Sequence, residues 1–255
     1  MGSVRLLAKG LGIVLSALIV TGCASRAGWQ YTPNPAQPAR VQVPVTVAVT
    51  HFKDERGTTN TQYYAVCLIP LVPYCTASYE RPENANGFLT MGAYNFRPSD
   101  DLAEAAATEL RQTGMFKDVF VTNRAQDPGA QLELRGTILS TNWDASRYSY
   151  MLGPYSSVLW ILGLPLGSAQ NKLELHLVLV ATSSGQQLWT TDISQDYSTT
   201  EGFYYDFATD FGYPQMFRTG MEPAVASLEA YVAQQPPGFW QHLGSDTASA
   251  TPANR

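Results

Sequence analysis

Leu173, Leu175, Leu177 and Leu179 stand at every second position of the segment Lys172–Ala181. A helix advancing 100° per residue would scatter these four around its axis, whereas a strand sets them all on one face. Ser183-Ser184-Gly185-Gln186 then supplies a turn into Gln187–Tyr197, so the two runs form a hairpin and commit the chain to an antiparallel sheet. Val41–Phe52 repeats the signal with valines at 41, 43, 45, 47 and 49. Pro44 falls on its other face near the start, which suits an edge or a stretch outside the ladder. Shorter strands are expected at Met115–Val121 and at Gln131–Trp143, where Leu132, Leu134 and Ile138 point inward around Gly136. Two helices interrupt them. One is capped by Ser99, carries Asp100 and Asp101 in its first turn, aligns Leu102, Ala106 and Leu110, and stops at Gly114. The other runs over Gln215–Ala233 with Met221, Ala224, Val225, Leu228 and Val232 on one face, and Pro236-Pro237-Gly238 ends it. At 45% hydrophobic residues a packed core is within reach. The order implies an α+β fold: a mainly antiparallel sheet with two helices packed on one face, plus two apolar insertions.

Sixteen Lys and Arg face 21 Asp and Glu over 255 residues, and the net charge is −5. An acidic body without a basic stripe argues against nucleic acid as a partner. Arg5 and Lys9, the apolar stretch Leu11–Val20, and Val20-Thr21-Gly22-Cys23 read together as an export signal over residues 1–22. The apolar stretch is well short of the roughly 20 residues that span a bilayer. Its last four residues resemble the lipobox of bacterial lipoproteins. The resemblance implies that Cys23 is acylated, becomes the first residue of the mature chain, and anchors it to the membrane. An ordinary signal peptide, with Cys23 a plain thiol, is the alternative. Ala24 in place of Asp implies sorting to the outer membrane, facing the periplasm. Residues 23–40, with Pro33, Pro35 and Pro38, read as a flexible tether. Residues 41–235 are expected to be a single α+β domain and 236–255 a disordered tail.

Three segments also carry a wider resemblance: Val47-Ala48-Val49-Thr50-His51-Phe52-Lys53-Asp54-Glu55-Arg56, Glu109-Leu110-Arg111-Gln112-Thr113-Gly114-Met115-Phe116-Lys117-Asp118-Val119, and Gly185-Gln186-Gln187-Leu188-Trp189. The set is similar to that of a broad group of bacterial envelope lipoproteins, including the curli secretion channel lipoprotein, the Pel polysaccharide lipoprotein and auxiliary lipoproteins of ABC transporters. The resemblance implies a small α+β domain without enzymatic activity or cofactor, working as an adaptor or as a homo-oligomeric ring. Beyond Cys23 it carries over no functional residue. Two apolar segments, Tyr63–Cys75 and Val158–Leu166, depart from the group's pattern.

No nucleophile elbow, P-loop or zinc-helix motif occurs. His51, Asp54 and Glu55 have the chemistry of an acid/base group or of a solvated strand end, while His176 reads as an outward-facing strand residue. With Cys23 assigned to lipid, Cys67 and Cys75 remain, as a disulfide in an oxidising compartment or as two buried thiols. The aromatic-flanked insertions suit a protein interface, the headgroup zone of a membrane, or core packing. Trp160 and Leu162, with Leu71 and Val72 nearby, are the expected contact residues. The sequence thus reads as a non-catalytic outer-membrane lipoprotein, a structural or assembly component of an envelope or export system, with no cofactor or metal and with envelope partners it does not name. The alternative is a lipid- or glycan-binding auxiliary module of a transporter.

Overall fold

The computed structural model describes residues 28–85, 95–205, 211–236 and 238–245. Its nine strands, β1 (Val43–Thr50), β2 (Lys53–Asp54), β3 (Asn60–Gln62), β4 (Tyr74–Tyr79), β5 (Phe116–Thr122), β6 (Leu132–Ser140), β7 (Trp143–Tyr148), β8 (Gly167–Ala181) and β9 (Gln187–Glu201), belong to one mixed sheet. The path is β3-β4-β7-β8-β6-β1-β5, with β9 paired to β8 and β2 to β6. Most pairings are antiparallel. The β8–β9 hairpin that the alternating leucines require has its Gly167 end beside Glu201 and closes at the other end through Gly185.

β1 departs from an antiparallel meander, because it lies parallel to both β5 and β6 and so occupies the sheet interior. Val45, Val47 and Val49 are fully buried on one side and Ala48 on the other. Pairing with β6 begins only at Val47, and the β5 register shifts between Val43 and Thr46. Pro44, which has no N–H to donate, thus stands outside the complete ladder. Gln131–Trp143 is not one strand: the chain breaks at Thr141 and Asn142, β6 pairs with the later part of β8, and β7 pairs with its beginning. The Tyr213 hydroxyl donates across that break to the carbonyls of Thr141 and Asn142.

Helices α1 (Pro98–Thr113) and α3 (Tyr213–Gln234) pack against the sheet and each other. Ser99 is not the cap of α1. Pro98 takes the first turn, where its fixed φ suits the helix, and Asp101 accepts from the Arg97 N–H at 2.7 Å. The helix ends as expected, with Gly114 in the left-handed region at φ 62°. Small residues at Ala103, Ala106 and Ala107 bring α1 close to the strands, while Phe217, Met221, Ala224, Leu228 and Val232 face inward from α3.

The domain exceeds residues 41–235 at both ends. From Gly28 the supposed tether is docked: Trp29 stacks on Phe96 at 5.4 Å and donates its N–H to Asn95, and the Tyr31 hydroxyl donates to buried Glu109. The Ala39 N–H bonds to Thr113. After the Pro236 break, α4 (Phe239–Ser245) returns to β1 and buries Trp240 to 5% exposure, so this part of the tail is ordered. Aromatic side chains drive both dockings; each buries some 150–250 Å² and needs no periodic pattern to do so. Cys23 lies outside the described residues.

Candidate functional site: an uncharged apolar end of the sheet

β4, β7, β8 and β9 share one end, where Tyr74 pairs with Tyr148, Arg147 with Gly167, and Gly167 with Glu201. The two insertions that project there, 63–73 and 149–166, lack any Lys, Arg, Asp or Glu, as do the first residues after β9, 202–205, before Asp206. The two insertions therefore meet in space. The first forms a 3-10 turn over Tyr64–Leu68, and the second a 3-10 turn over Gly153–Tyr155 running into the short helix α2 (Ser156–Ile161). Leu71 donates its N–H to the carbonyl of Met151 at 2.9 Å, while Ser149 and Tyr150 both donate to Pro73. Leu71 and Met151 hold left-handed φ values of 72° and 64°. Non-glycine residues keep such conformations only where their surroundings fix them, commonly at functional surfaces.

Of the expected contact residues, Leu71 is 80% exposed and Leu162 is 74% exposed, with Val158 and Ile161 open beside Leu162. Trp160 and Val72 are half-buried. Trp160 donates its indole N–H to the Tyr148 carbonyl at 3.0 Å, so its ring supports the insertion from beneath. Cys67 and Cys75 are joined as a disulfide, with Cα atoms 5.3 Å apart, tying the 3-10 turn to β4. Between the insertions lies an apolar pocket of about 440 Å³, lined by Tyr64, Ala65, Leu68, Pro154 and Trp160 over Arg147. Its size falls in the range of small-ligand sites.

Arg147 and Glu201 form the base of this end. Both flank Gly167 in register, and their side chains meet across it at 2.9 Å, each 4% exposed. A Cβ on Gly167 would fall 3.0 Å from the Arg147 guanidinium and 2.1 Å from the Ser146 carbonyl oxygen, so glycine is what lets the pair close.

His51, Asp54 and Glu55 do not converge. His51 pairs with Asp100 at 2.5 Å, and Glu55 with Lys53 in solvent. Asp54 instead receives two bonds of 2.9 Å from buried Arg56, whose guanidinium also reaches Glu83 and Thr141, and a third from Arg81. These cations hold the Asp54 carboxyl at about 2, Arg56 foremost through its hydrogen bonds. A depressed carboxyl contributes stability that is present above its unfolded value of 3.8 and is lost as pH falls through about 2. Wild type should lose on the order of 1 to 2 kcal/mol at this group between pH ~5 and pH ~2. Urea titrations at both pH values should show a smaller acid loss in Asp54→Asn, and equal losses would assign acid sensitivity elsewhere. His176 faces outward, 2.6 Å from Asp192. Among the described residues no cluster of His, Cys, Asp and Glu could hold a metal, and no helix is long and apolar enough to cross a membrane.

No protein-family model and no curated protein matches this chain. Solved structures match loosely. A Xanthomonas campestris protein of the DUF330 family has TM-score 0.40 and 13% identity over 82% of this chain and 98% of that one. The PelC dodecamer from Paraburkholderia phytofirmans has TM-score 0.35 and 14% identity over 76% and 94%. A lipoprotein from Neisseria meningitidis has TM-score 0.24 and 17% identity over 72% and 99%. The neighbours thus include one lipoprotein, at low identity. Likenesses this loose carry no role over to this chain.

Proposed function

We propose that this chain is a non-catalytic lipoprotein of the bacterial envelope, anchored through acylated Cys23 at the periplasmic face of the outer membrane and serving as a structural component of an envelope or export assembly. The observation that carries the reading is the uncharged apolar end of the sheet. A freely diffusing periplasmic domain would have to hide Leu71, Ile161 and Leu162; a domain held at a membrane by an anchor presents them to a fixed neighbour. The N-terminal signal ending in Val20-Thr21-Gly22-Cys23 supplies that anchor.

The test is the N-terminus itself. Intact mass spectrometry of the protein extracted from its native host should find the chain beginning at residue 23 and carrying acyl groups, with processing blocked in Cys23→Ser. A soluble mature chain with an unmodified N-terminus overturns the reading. The pocket beneath the insertions favours a second reading, a module that holds the apolar part of a lipid or glycolipid. Co-purified lipid that leaves when the pocket is filled by Ala65→Trp would move the assignment there.

A further inference from the structure

We infer that the surface facing the uncharged end of the sheet is the lipid leaflet itself, with the loops around Leu71 and Leu162 sunk into the boundary between headgroups and acyl chains. The inference rests on the envelope placement proposed above and names the neighbour that placement leaves open. Three independent observations favour lipid over protein.

The first is composition in space. The segments Tyr63–Tyr79 and Tyr148–Asn171 contain no ionisable acid or base of the Asp, Glu, Lys or Arg type. Specific protein interfaces keep a charged or polar rim and enrich arginine. Here aliphatic Leu71, Ile161 and Leu162 form the tips while Tyr63, Tyr74 and Tyr155 stand exposed around them. Aliphatic tips ringed by tyrosine match the gradient of a membrane interface.

The second concerns the backbone. Lipid offers no hydrogen bonds, so a segment entering it must satisfy its own amides. At the first tip, Leu71 donates to Met151 and Val72 to Ile69. At the second, Leu162 donates to Val158, Gly163 to Trp160, and Leu164 to Leu159. The Tyr204 hydroxyl covers the Ile161 carbonyl at 2.7 Å. These loops carry little of the polar cost that usually keeps loops out of membranes.

The third is reach. Gly28 bridges to Asn95, and the neighbouring Phe96 stacks on Tyr213, whose hydroxyl contacts the β6–β7 break. Asn142 at that break receives the Lys172 N–H, five residues along β8 from Gly167. That distance is about 17 Å at strand rise. Cys23 lies five residues before Gly28, and five residues also extend about 17 Å. The reach of that segment thus equals the stretch of β8 between the break and the base of the apolar end, which is the length an anchor near Gly28 needs to share one leaflet with that end. The β8–β9 turn is about 45 Å away, at the far end of two 15-residue strands.

The experiment places single thiols in the acylated protein, by Leu162→Cys at the tip or Ser184→Cys at the far turn, and labels each with a fluorophore. The labelled proteins are reconstituted in phosphatidylethanolamine/phosphatidylglycerol vesicles with a nitroxide on the acyl chain. The probe at residue 162 should lose most of its emission and the probe at 184 should lose none. Leu71→Glu with Ile161→Glu should abolish the quenching at 162 without lowering the melting temperature, because both side chains are exposed. Raising salt should not change it, because no charge takes part. A probe at 162 that stays bright and open to aqueous iodide overturns the inference. So does one that is shielded from iodide but untouched by lipid nitroxide, which would mean a protein or a second copy covers this end. Neither result bears on the acylation of Cys23, which the mass measurement reads separately.

Discussion

Glu201→Ala should destabilise the domain by about 3 to 5 kcal/mol, because it takes from the buried Arg147 guanidinium the carboxylate that stands 2.9 Å away. Arg147 and Glu201 are each 4% exposed, and they sit on β7 and β9 with only Gly167 of β8 between them. Removing the carboxylate leaves the desolvation of Arg147 in place and deletes the ion pair that offsets part of it. For a domain of this size the melting temperature should fall by roughly 10 °C or more. The pair need not be a net source of stability when intact, since replacing both members of a buried ion pair with apolar groups is often neutral. Arg147→Met combined with Glu201→Leu should accordingly recover most of the loss. Calorimetry of the two variants distinguishes the cases. If the single variant melts like wild type, water reaches this base and the pair is not the clasp described here. If the double variant is no better than the single, the defect comes from lost packing rather than from an unpaired charge.

That clasp was invisible in the sequence, and the reason separates what local pattern encodes from what it does not. Alternation at Leu173–Leu179 and at Val43–Val49 identified strands because a period of two is a property of one segment. The inward set of α3 was legible for the same reason. Which strand lies beside which is decided by distant segments. Nothing within Val43–Thr50 announces parallel partners on both sides, and nothing in Ser140–Trp143 states that β6 and β7 line different stretches of β8. β3 and β4 were not read as strands: β3 lies just before the insertion Tyr63–Cys75 and β4 straddles its end, and their few residues carry no long alternation. Arg147 and Glu201 are 54 residues apart and meet only because Gly167 registers with both. Trp29 and Trp240 were assigned to a tether and a tail, because single aromatics in Pro-rich surroundings give no period although each finds a place against the core. At the site, apolar composition set both insertions apart in the sequence, and the structure leaves Leu71 and Leu162 exposed. What the pattern could not supply was that the two insertions share one end.

Gly136→Val should be among the most damaging single substitutions, again for a reason set by a distant residue. Gly136 lies among the inward-facing positions of β6, between Leu134 and Ile138, where a branched residue would ordinarily be welcome. The ring of Phe52 already occupies that space: a Cβ on Gly136 would lie 2.5 Å from its carbons, closer than atoms can approach. Phe52 is 2% exposed and stands where β1 ends, with its N–H bonded to Ser99 at the start of α1. It thereby locks strand, helix and the descent into β2 together. Valine must expel the ring or push β6 away from α1, and either costs about 3 to 5 kcal/mol, the range for losing a buried phenylalanine. Rescue tests the cause. Phe52→Ala alone should be similarly damaging because it leaves a cavity, whereas Phe52→Ala with Gly136→Val should be more stable than either single variant, the valine filling part of the space the ring vacates. Denaturant titration of the three proteins reads the coupling directly. Additive losses would mean that the ring and the glycine do not share a site. The same contact governs the apolar end at long range, since the chain leaving Phe52 passes through Asp54 and Arg56 before rising into β3 and the first insertion. Displacing the ring should therefore loosen the Asp54–Arg56 anchorage before it disturbs the β8–β9 hairpin, and hydrogen exchange should show β2 and β3 opening ahead of β8.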